Sequence, residues 1–337
     1  MASAIPGTSI GIDFVDPALE SAVQATLAAV EDRLRAAVTS DDPLVAEAAR
    51  HLVDAGGKRF RPLLTALAAE FGRGSGAEVV LSATVVELTH LATLYHDDVM
   101  DDAPVRRGAP SANSRWGNSV AILVGDFLFA CAADIAAQLG AEAVRIQAHT
   151  FARLVHGQIA ETVGPRQTDP VAHYLHVIAE KTGSLIATSA RFGAMYGGLP
   201  PAQVDALARY GQMMGAAFQL SDDVLDITSE SEQSGKTPGT DLREGVPTLP
   251  VLYALAGTEA DPASVRLRGL LAAGPLTDDA RHAEALGLLR DSPALKRARD
   301  TVRGYAEQAR AELAPLPPVP ARQALETLCD FIADRTG

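Results

Sequence analysis

Two short acidic runs carry the clearest chemistry in this sequence. Asp97-Asp98-Val-Met-Asp101, followed by Asp102, closes a long apolar stretch, and Asp222-Asp223-Val-Leu-Asp226 repeats the same D-D-x-x-D spacing far downstream. Residues four apart share a helix face, so Asp97 and Asp101 project together, as do Asp222 and Asp226. Carboxylates stacked at a helix C-terminus oppose the helix dipole and repel one another by some tenths of a kcal/mol each. A divalent cation removes that repulsion. Hard carboxylate oxygens suit Mg2+, which takes one or two protein carboxylates and completes its shell with water and phosphate oxygens. A single acidic run is explained as well by a solvated helix end. Two matched runs point to several Mg2+ ions and a diphosphate held with them.

A diphosphate also needs cations. There are four lysines, Lys58, Lys181, Lys236 and Lys296, among 29 basic residues. Where arginine serves for ordinary surface charge, the remaining lysines are candidates for sites that need a compact point charge. Lys58 lies in the Gly-flanked basic knot Gly56-Gly57-Lys58-Arg59-Phe60-Arg61-Pro62. Lys181 is mid-helix beside Thr182 and Gly183, Lys236 follows Gly235 in the stretch after the second acidic run, and Arg106-Arg107-Gly108 comes just after the first. No Ser/His/Asp or Cys/His arrangement supplies a protein nucleophile. His90, His96, His173 and His176 are the residues a zinc hydrolase would use, but no acidic ligand set or cysteine accompanies them.

Helical periodicity runs through nearly the whole chain and positions these groups. Asp16-Pro17 and Asp41-Asp42-Pro43 read as capped helix starts, the first helix reaching about Thr39 and the second stopping at Gly56-Gly57. Further helical stretches are Arg61–Phe71, Ala77–Asp102, Ser119–Leu139, Ala141–Val163, Pro170–Ala190 and Pro201–Ile227. Thr228–Pro247 reads as a long exposed loop, and four amphipathic segments follow, the last from Pro320 to Arg335. No stretch alternates long enough to claim a strand. Of 337 residues, 47% are hydrophobic and only 5% aromatic, a composition that favours close-packed helices over a sandwich. The expectation is all-α, a single bundle spanning 1–337 with residues 1–15 flexible. A net charge of −13 argues against nucleic acid as a partner. Two cysteines, Cys131 and Cys329, point to a reducing compartment. The N-terminus lacks a charged n-region and an apolar h-region. The most apolar stretch, Val120 to Ala133, is shorter than a bilayer span, which predicts a cytoplasmic protein with at most peripheral membrane association.

In this order, the motifs resemble the trans-isoprenyl diphosphate synthase (polyprenyl synthetase) family, with the likeness covering about residues 45 to 335. The resemblance implies helices around a deep central cavity, a homodimer, and a Mg2+-dependent prenyltransferase that joins isopentenyl diphosphate to an allylic diphosphate, head to tail and all-trans. It makes Asp97, Asp101 and Asp222 the principal ligands of three Mg2+ ions, for which Mn2+ can substitute, with Asp98, Asp223 and Asp226 assisting. Lys58, Arg61, His90 and Arg107 would hold isopentenyl diphosphate, and Arg106, Lys181, Thr182, Gln219 and Lys236 the allylic diphosphate. One departure is Glu244-Gly245-Val246, where the family often has a lysine at the third position.

The same resemblance places the product-length wall four and five residues before the first acidic run, at Thr93 and Ala92. Both are small, which predicts a product of roughly C30 to C50. Tyr95 points away from Asp97 by about 200° of helix rotation, and Phe127, Phe129 or Cys131 could form a floor. A farnesyl or geranylgeranyl diphosphate synthase is the runner-up. A class I terpene cyclase would lack the second D-D-x-x-D, and a non-catalytic synthase subunit would carry degraded motifs.

Overall fold

The computed structural model describes residues 14–229 and 238–336. Residues 1–13 of the expected flexible N-terminus, and Lys236, lie outside them. The architecture is all-α. Asp16 accepts hydrogen bonds from the Ala18 and Leu19 amides at 2.8 and 2.9 Å and opens α1 (Pro17–Ala37). Asp42 opens α2 (Pro43–Asp54) in the same way. Each Asp-Pro pair therefore caps a helix, because proline needs no amide partner at its first position. Next come α3 (Phe60–Ala69), α4 (Ala77–Met100), the short α5 (Ala112–Trp116), α6 (Asn118–Gln138), α7 (Ala141–Val163), α8 (Pro170–Ile178), α9 (Ser184–Tyr196) and α10 (Pro201–Thr228).

The structure corrects the sequence reading in four places. Val105–Arg106 and Ala109–Pro110 pair as a two-stranded antiparallel ribbon where no strand was expected. Arg107 and Gly108 at its tip both have positive φ, 54° and 77°, the backbone that a tight hairpin turn demands. The expected helix from Pro170 to Ala190 is broken by a π turn at Ala179–Gly183 and then continues to Tyr196. A short helix, α11 (Thr240–Glu244), forms within the expected loop. Five helices rather than four come after it: α12 (Leu249–Ala256), α13 (Pro262–Leu271), α14 (Asp279–Arg290), α15 (Pro293–Glu312) and α16 (Pro320–Asp334).

The helices gather into two compact units, each drawn from separated stretches of chain. The first comprises the chain up to Arg153, Ser184–Gly211 and Glu312–Thr327. Its core is built on α4, which packs along α6, and on α3, which packs along α9. Leu64, Leu67, Leu88, Leu91, Tyr95 and Phe192 are fully buried there. A Cβ on Gly193 would lie 2.0 Å from the Thr65 carbonyl, so α3 and α9 meet backbone to backbone. The second unit comprises Leu154–Gly183, Gln212–Ala311 and the chain from Leu328. Val224, Ile227, Leu249, Leu289, Leu295 and Val302 form its core, with Met214 and Cys329 in sulfur contact at 3.7 Å.

The helix containing the apolar stretch Val120–Ala133 is longer than that stretch. Both α4 and α6 are long and apolar enough by composition to cross a membrane. In α4, 61% of the most apolar window is buried, whereas in α6 only 39% is.

Candidate active site

In the first unit, the first acidic run splits into two kinds of carboxylate. Asp97 is half-buried and Asp101 exposed at the C-cap of α4, where the Asp101 amide donates to the Asp97 carbonyl at 2.8 Å. Asp98 is fully buried and accepts from Arg106 Nε at 2.6 Å. Burial pushes the Asp98 carboxyl above its ordinary range, against the pull of the Arg106 guanidinium. The tight ribbon turn places Arg106 there, which composition alone did not show.

Beside this run lies a cluster of cations. Arg59 adopts left-handed backbone (φ 47°), which costs a non-glycine residue about 1–2 kcal/mol. Its buried guanidinium offsets the strain by donating to Glu31, to Glu87 at 2.9 Å, and to the Val53 and Gly56 carbonyls at 2.9 and 3.3 Å. Arg107 donates to the Leu52 carbonyl at 3.0 Å and to that of Gly56. It can lie this close only because residue 57 is glycine: a Cβ there would stand 2.9 Å from Arg107 Cζ. Burial pushes Arg61 down to about 10, and its buried Nε has no hydrogen-bond partner. Burial, and then the charges of Arg61, Arg107, Arg59 and Arg106, hold His90 well below its ordinary pKa, so the ring is neutral at pH 7. Lys58 is exposed at the edge. Packed arginines with one unpaired donor are set to receive an anion, and planar guanidinium forks suit phosphate. The structure therefore brings together Lys58, Arg61, His90, Arg106 and Arg107. It adds Arg59, Glu31 and Glu87, which the sequence reading did not single out. Glu87 was visible as a lone carboxylate in an apolar run, three residues before His90.

In the second unit, the second run also divides. Asp222 is exposed and pairs with Arg335 near the end of α16, which also donates to Ser221 Oγ and stacks over Phe218 at 4.6 Å. Asp223 is buried and accepts from the Tyr174 hydroxyl. Asp226 accepts from the Thr240 and Asp241 amides, both at 3.2 Å, and so anchors the start of α11. Lys181 pairs with Glu161 at 2.5 Å, and Thr182 reaches Gln219 at 3.5 Å. Val246 is exposed. Tyr174, Glu161 and Arg335 carried no spacing signal, because each joins the site through a neighbouring helix.

Burial pushes Asp223 up to about 7, with Tyr174 lowering it and Asp241 raising it. The unfolded carboxyl titrates near 4 (about 3.9), so the folded state holds more protons in between. The stability Asp223 contributes is therefore complete below about pH 4 and is lost as pH rises through about 7. Asp223→Asn keeps an acceptor for Tyr174 and cannot ionise. Its metal-free melting temperature should fall less than the parent's from pH 4 to 7, the gap corresponding to about 2–4 kcal/mol. Parallel melting curves for the two proteins would refute this assignment.

The donor set fits Mg2+. Among the described residues, no three His, Cys, Asp or Glu side chains gather into one metal-sized cluster. The accessible carboxylates of the runs include Asp97 and Asp101 in the first unit and Asp222 in the second, and at each run oxygen donors leave room for water and phosphate oxygens. Two of the four histidines of a zinc reading are otherwise engaged: His96 contacts the Ile122 carbonyl at 3.1 Å and His173 the Ala160 carbonyl at 3.1 Å.

In α4 before Asp97, Thr93 is half-buried on the Asp97 face and Ala92, about 100° further round, is fully buried. Tyr95 turns to α2, its hydroxyl donating to the Ala48 carbonyl and accepting from the Leu52 amide at 3.3 Å. Phe129 packs against Phe151 with the rings tilted by 47° and centroids 4.3 Å apart. Phe127 and Cys131 are half-buried on α6.

A family model described as polyprenyl synthetase matches residues 42–286. The chain is 52% identical to the nonaprenyl diphosphate synthase of Mycobacterium tuberculosis over 335 residues, covering 98% of this chain and 99% of that one. Its fold matches that of a geranylgeranyl pyrophosphate synthase from Corynebacterium glutamicum, solved with calcium and isoprenyl diphosphate. The TM-score is 0.88 at 47% identity, over 97% of this chain and 100% of that one. A decaprenyl diphosphate synthase from Rhodobacter capsulatus matches with TM-score 0.84 at 36% identity, over 95% and 99% of the two chains.

Proposed function

The chain belongs to the polyprenyl synthetase family, and on that premise we propose that it joins isopentenyl diphosphate to an allylic diphosphate, head to tail and all-trans, yielding a polyprenyl diphosphate of roughly C30 to C50. The observation that carries this reading is the pair of D-D-x-x-D runs, each presenting accessible carboxylates at a helix end, with a packed cation cluster beside the first. The completeness of both runs separates it from a terpene cyclase and from a non-catalytic subunit.

In the mechanism, Lys58, Arg61 and Arg107 bind the diphosphate of isopentenyl diphosphate, and neutral His90 adds a hydrogen bond without adding charge. Glu87, itself held by Arg59 at 2.9 Å, pairs with Arg107 at 3.9 Å. Lys181, Thr182 and Gln219 bind and orient the allylic diphosphate, with Arg106 and Lys236 as further cations. Asp97 and Asp101 of the first run and Asp222 of the second would hold the three Mg2+ ions, which when bound would neutralise charge on the departing pyrophosphate. The allylic C–O bond breaks, the isopentenyl double bond forms the new C–C bond, and pyrophosphate takes the released proton.

Small side chains at Ala92 and Thr93 favour the long product, as does the likeness to nonaprenyl and decaprenyl synthases. The likeness to a geranylgeranyl pyrophosphate synthase favours a C20 product as the second reading. The half-exposed apolar face of α6, with Ile122 and Leu123 42% and 66% exposed, supports a homodimer that covers it. Purified protein given Mg2+, isopentenyl diphosphate and farnesyl or geranylgeranyl diphosphate should give a ladder of products ending at C30 or longer. A stop at C15 or C20 selects the second reading, and no elongation removes both. Light scattering of the same sample should give about twice 35.2 kDa, and a monomer mass would remove the dimer.

A further inference from the structure

The π turn at Ala179–Gly183 carries Lys181 and Thr182, and it is held from outside its own helix. An i→i+5 turn adds one residue to the ladder and rotates the downstream helix by about 100° relative to a continuous α-helix. Such turns need external support, since their hydrogen-bond geometry is the less favoured one. Gln212, on α10, provides it: its Nε2 donates to the carbonyl of Ala179, the first residue of the turn, at 2.8 Å. Two glycines make the approach possible. A Cβ on Gly183 would lie 2.1 Å from Gln212 Nε2, and one on Gly157 of α7 would lie 2.7 Å from the Lys181 amide nitrogen. Any side chain at 183 would push Gln212 off the turn, and any at 157 would push the turn off α7.

Gln212 also lies on a functional stripe. Residues seven and eleven apart fall on one helix face, so Gln212, Gln219 and Asp223 line the same side of α10. All three engage the segment from α8 to the turn: Asp223 through Tyr174, Gln219 through Thr182, and Gln212 through Ala179.

We infer that Gln212 is a positioning residue for Lys181 and Thr182, fixing the π turn so that both present their donors to the allylic diphosphate. This rests on the reading of Lys181 and Thr182 given above. Gln212→Leu removes the donor, and Gln212→Lys returns one of similar reach. Two readouts apply: amide hydrogen exchange of residues 179–184 in substrate-free protein, and steady-state kinetics with each substrate varied in turn. In Gln212→Leu, exchange of that segment should quicken and KM for the allylic diphosphate should rise, each by about fivefold, the size expected for one lost hydrogen bond. KM for isopentenyl diphosphate should stay within about twofold, because its contacts lie in the other unit, and Gln212→Lys should restore both readouts. If Gln212→Leu fails to fold, Gln212→Met makes the same test. Unchanged exchange overturns the proposal, and so does faster exchange with an unchanged allylic KM. Lys181→Ala, measured in parallel, locates the failure. If it raises the allylic KM, only the role of Gln212 is wrong. If it does not, the assignment of Lys181 fails and the proposal falls with it.

Discussion

Asp101→Ala is expected to lower the rate of pyrophosphate release at least about a thousandfold, while leaving the melting temperature of the metal-free protein essentially unchanged. Metal-ion charge stabilisation supplies several kcal/mol of a barrier, and each 1.36 kcal/mol is about tenfold in rate. Asp101 is exposed at the C-cap of α4, and exposed substitutions of this kind stay within about 0.5 kcal/mol in stability. Losing one of several neighbouring like charges offsets part of even that. Asp98→Ala, one turn of sequence away, should behave differently. Asp98 is fully buried against Arg106, whose side chain is 29% exposed, and removing one partner of such a pair costs about 3 kcal/mol. This variant should therefore melt early as well as turn over slowly. Asp98→Asn should recover most of the stability, because burial already weakens the charged form and the amide still accepts from Arg106. Single-turnover pyrophosphate release and thermal melts on the three variants separate the roles. If Asp101→Ala stays within tenfold of the parent rate, the first run is not a metal site. If Asp98→Ala melts with the parent, the buried pair does not hold the ribbon.

Much of this site could be read from sequence because its chemistry rests on local spacing. Two carboxylates four apart share a face whatever the tertiary structure, and Asp-Pro pairs cap helices through their own atoms, as Asp16 and Asp42 do. The features that escaped depend on partners distant in the chain. Nothing in Ala179–Gly183 announces a π turn, since its supports are Gly157 and Gln212. Arg59 reads as one more cation of a basic knot until Glu31 and Glu87 converge on it from α1 and α4. The division of each acidic run into accessible and buried carboxylates is likewise tertiary. D-D-x-x-D specifies that two aspartates share a face, but not that Arg106 would claim Asp98 or that Tyr174 would claim Asp223. The ribbon at Val105–Pro110 is too short for any alternation to show, and Arg106-Arg107-Gly108 reads in sequence only as a run of cations beside the first acidic motif.

Thr93→Phe is expected to shorten the product to C20 or less while leaving the first condensation intact. Ala92→Phe at the neighbouring position should mainly cost stability. Family likeness treats the two positions alike, but their surroundings differ. Ala92 is fully buried where α6 crosses α4: a Cβ on Gly125 would come within 3.3 Å of the Ala92 carbonyl, so there is no room for a ring. Overpacking a core of this kind costs about 1–3 kcal/mol. Thr93 is only half-buried, and its Oγ1 is satisfied within its own helix by the His90 carbonyl at 2.7 Å. Its side chain is therefore less confined than that of Ala92 and has more room to grow. It lies one turn before Asp97 on the same face, where a chain growing from a diphosphate at the metal ions would run. Tyr95, the aromatic nearest in sequence, cannot act as this wall because Ala48 and Leu52 hold its hydroxyl toward α2. Mass analysis of the dephosphorylated products decides the matter. A truncated ladder from a Thr93→Phe protein that melts like the parent assigns the wall to this face of α4. A full-length ladder would remove α4 as the wall and make the tilted ring pair Phe129 and Phe151 the next surface to enlarge or trim.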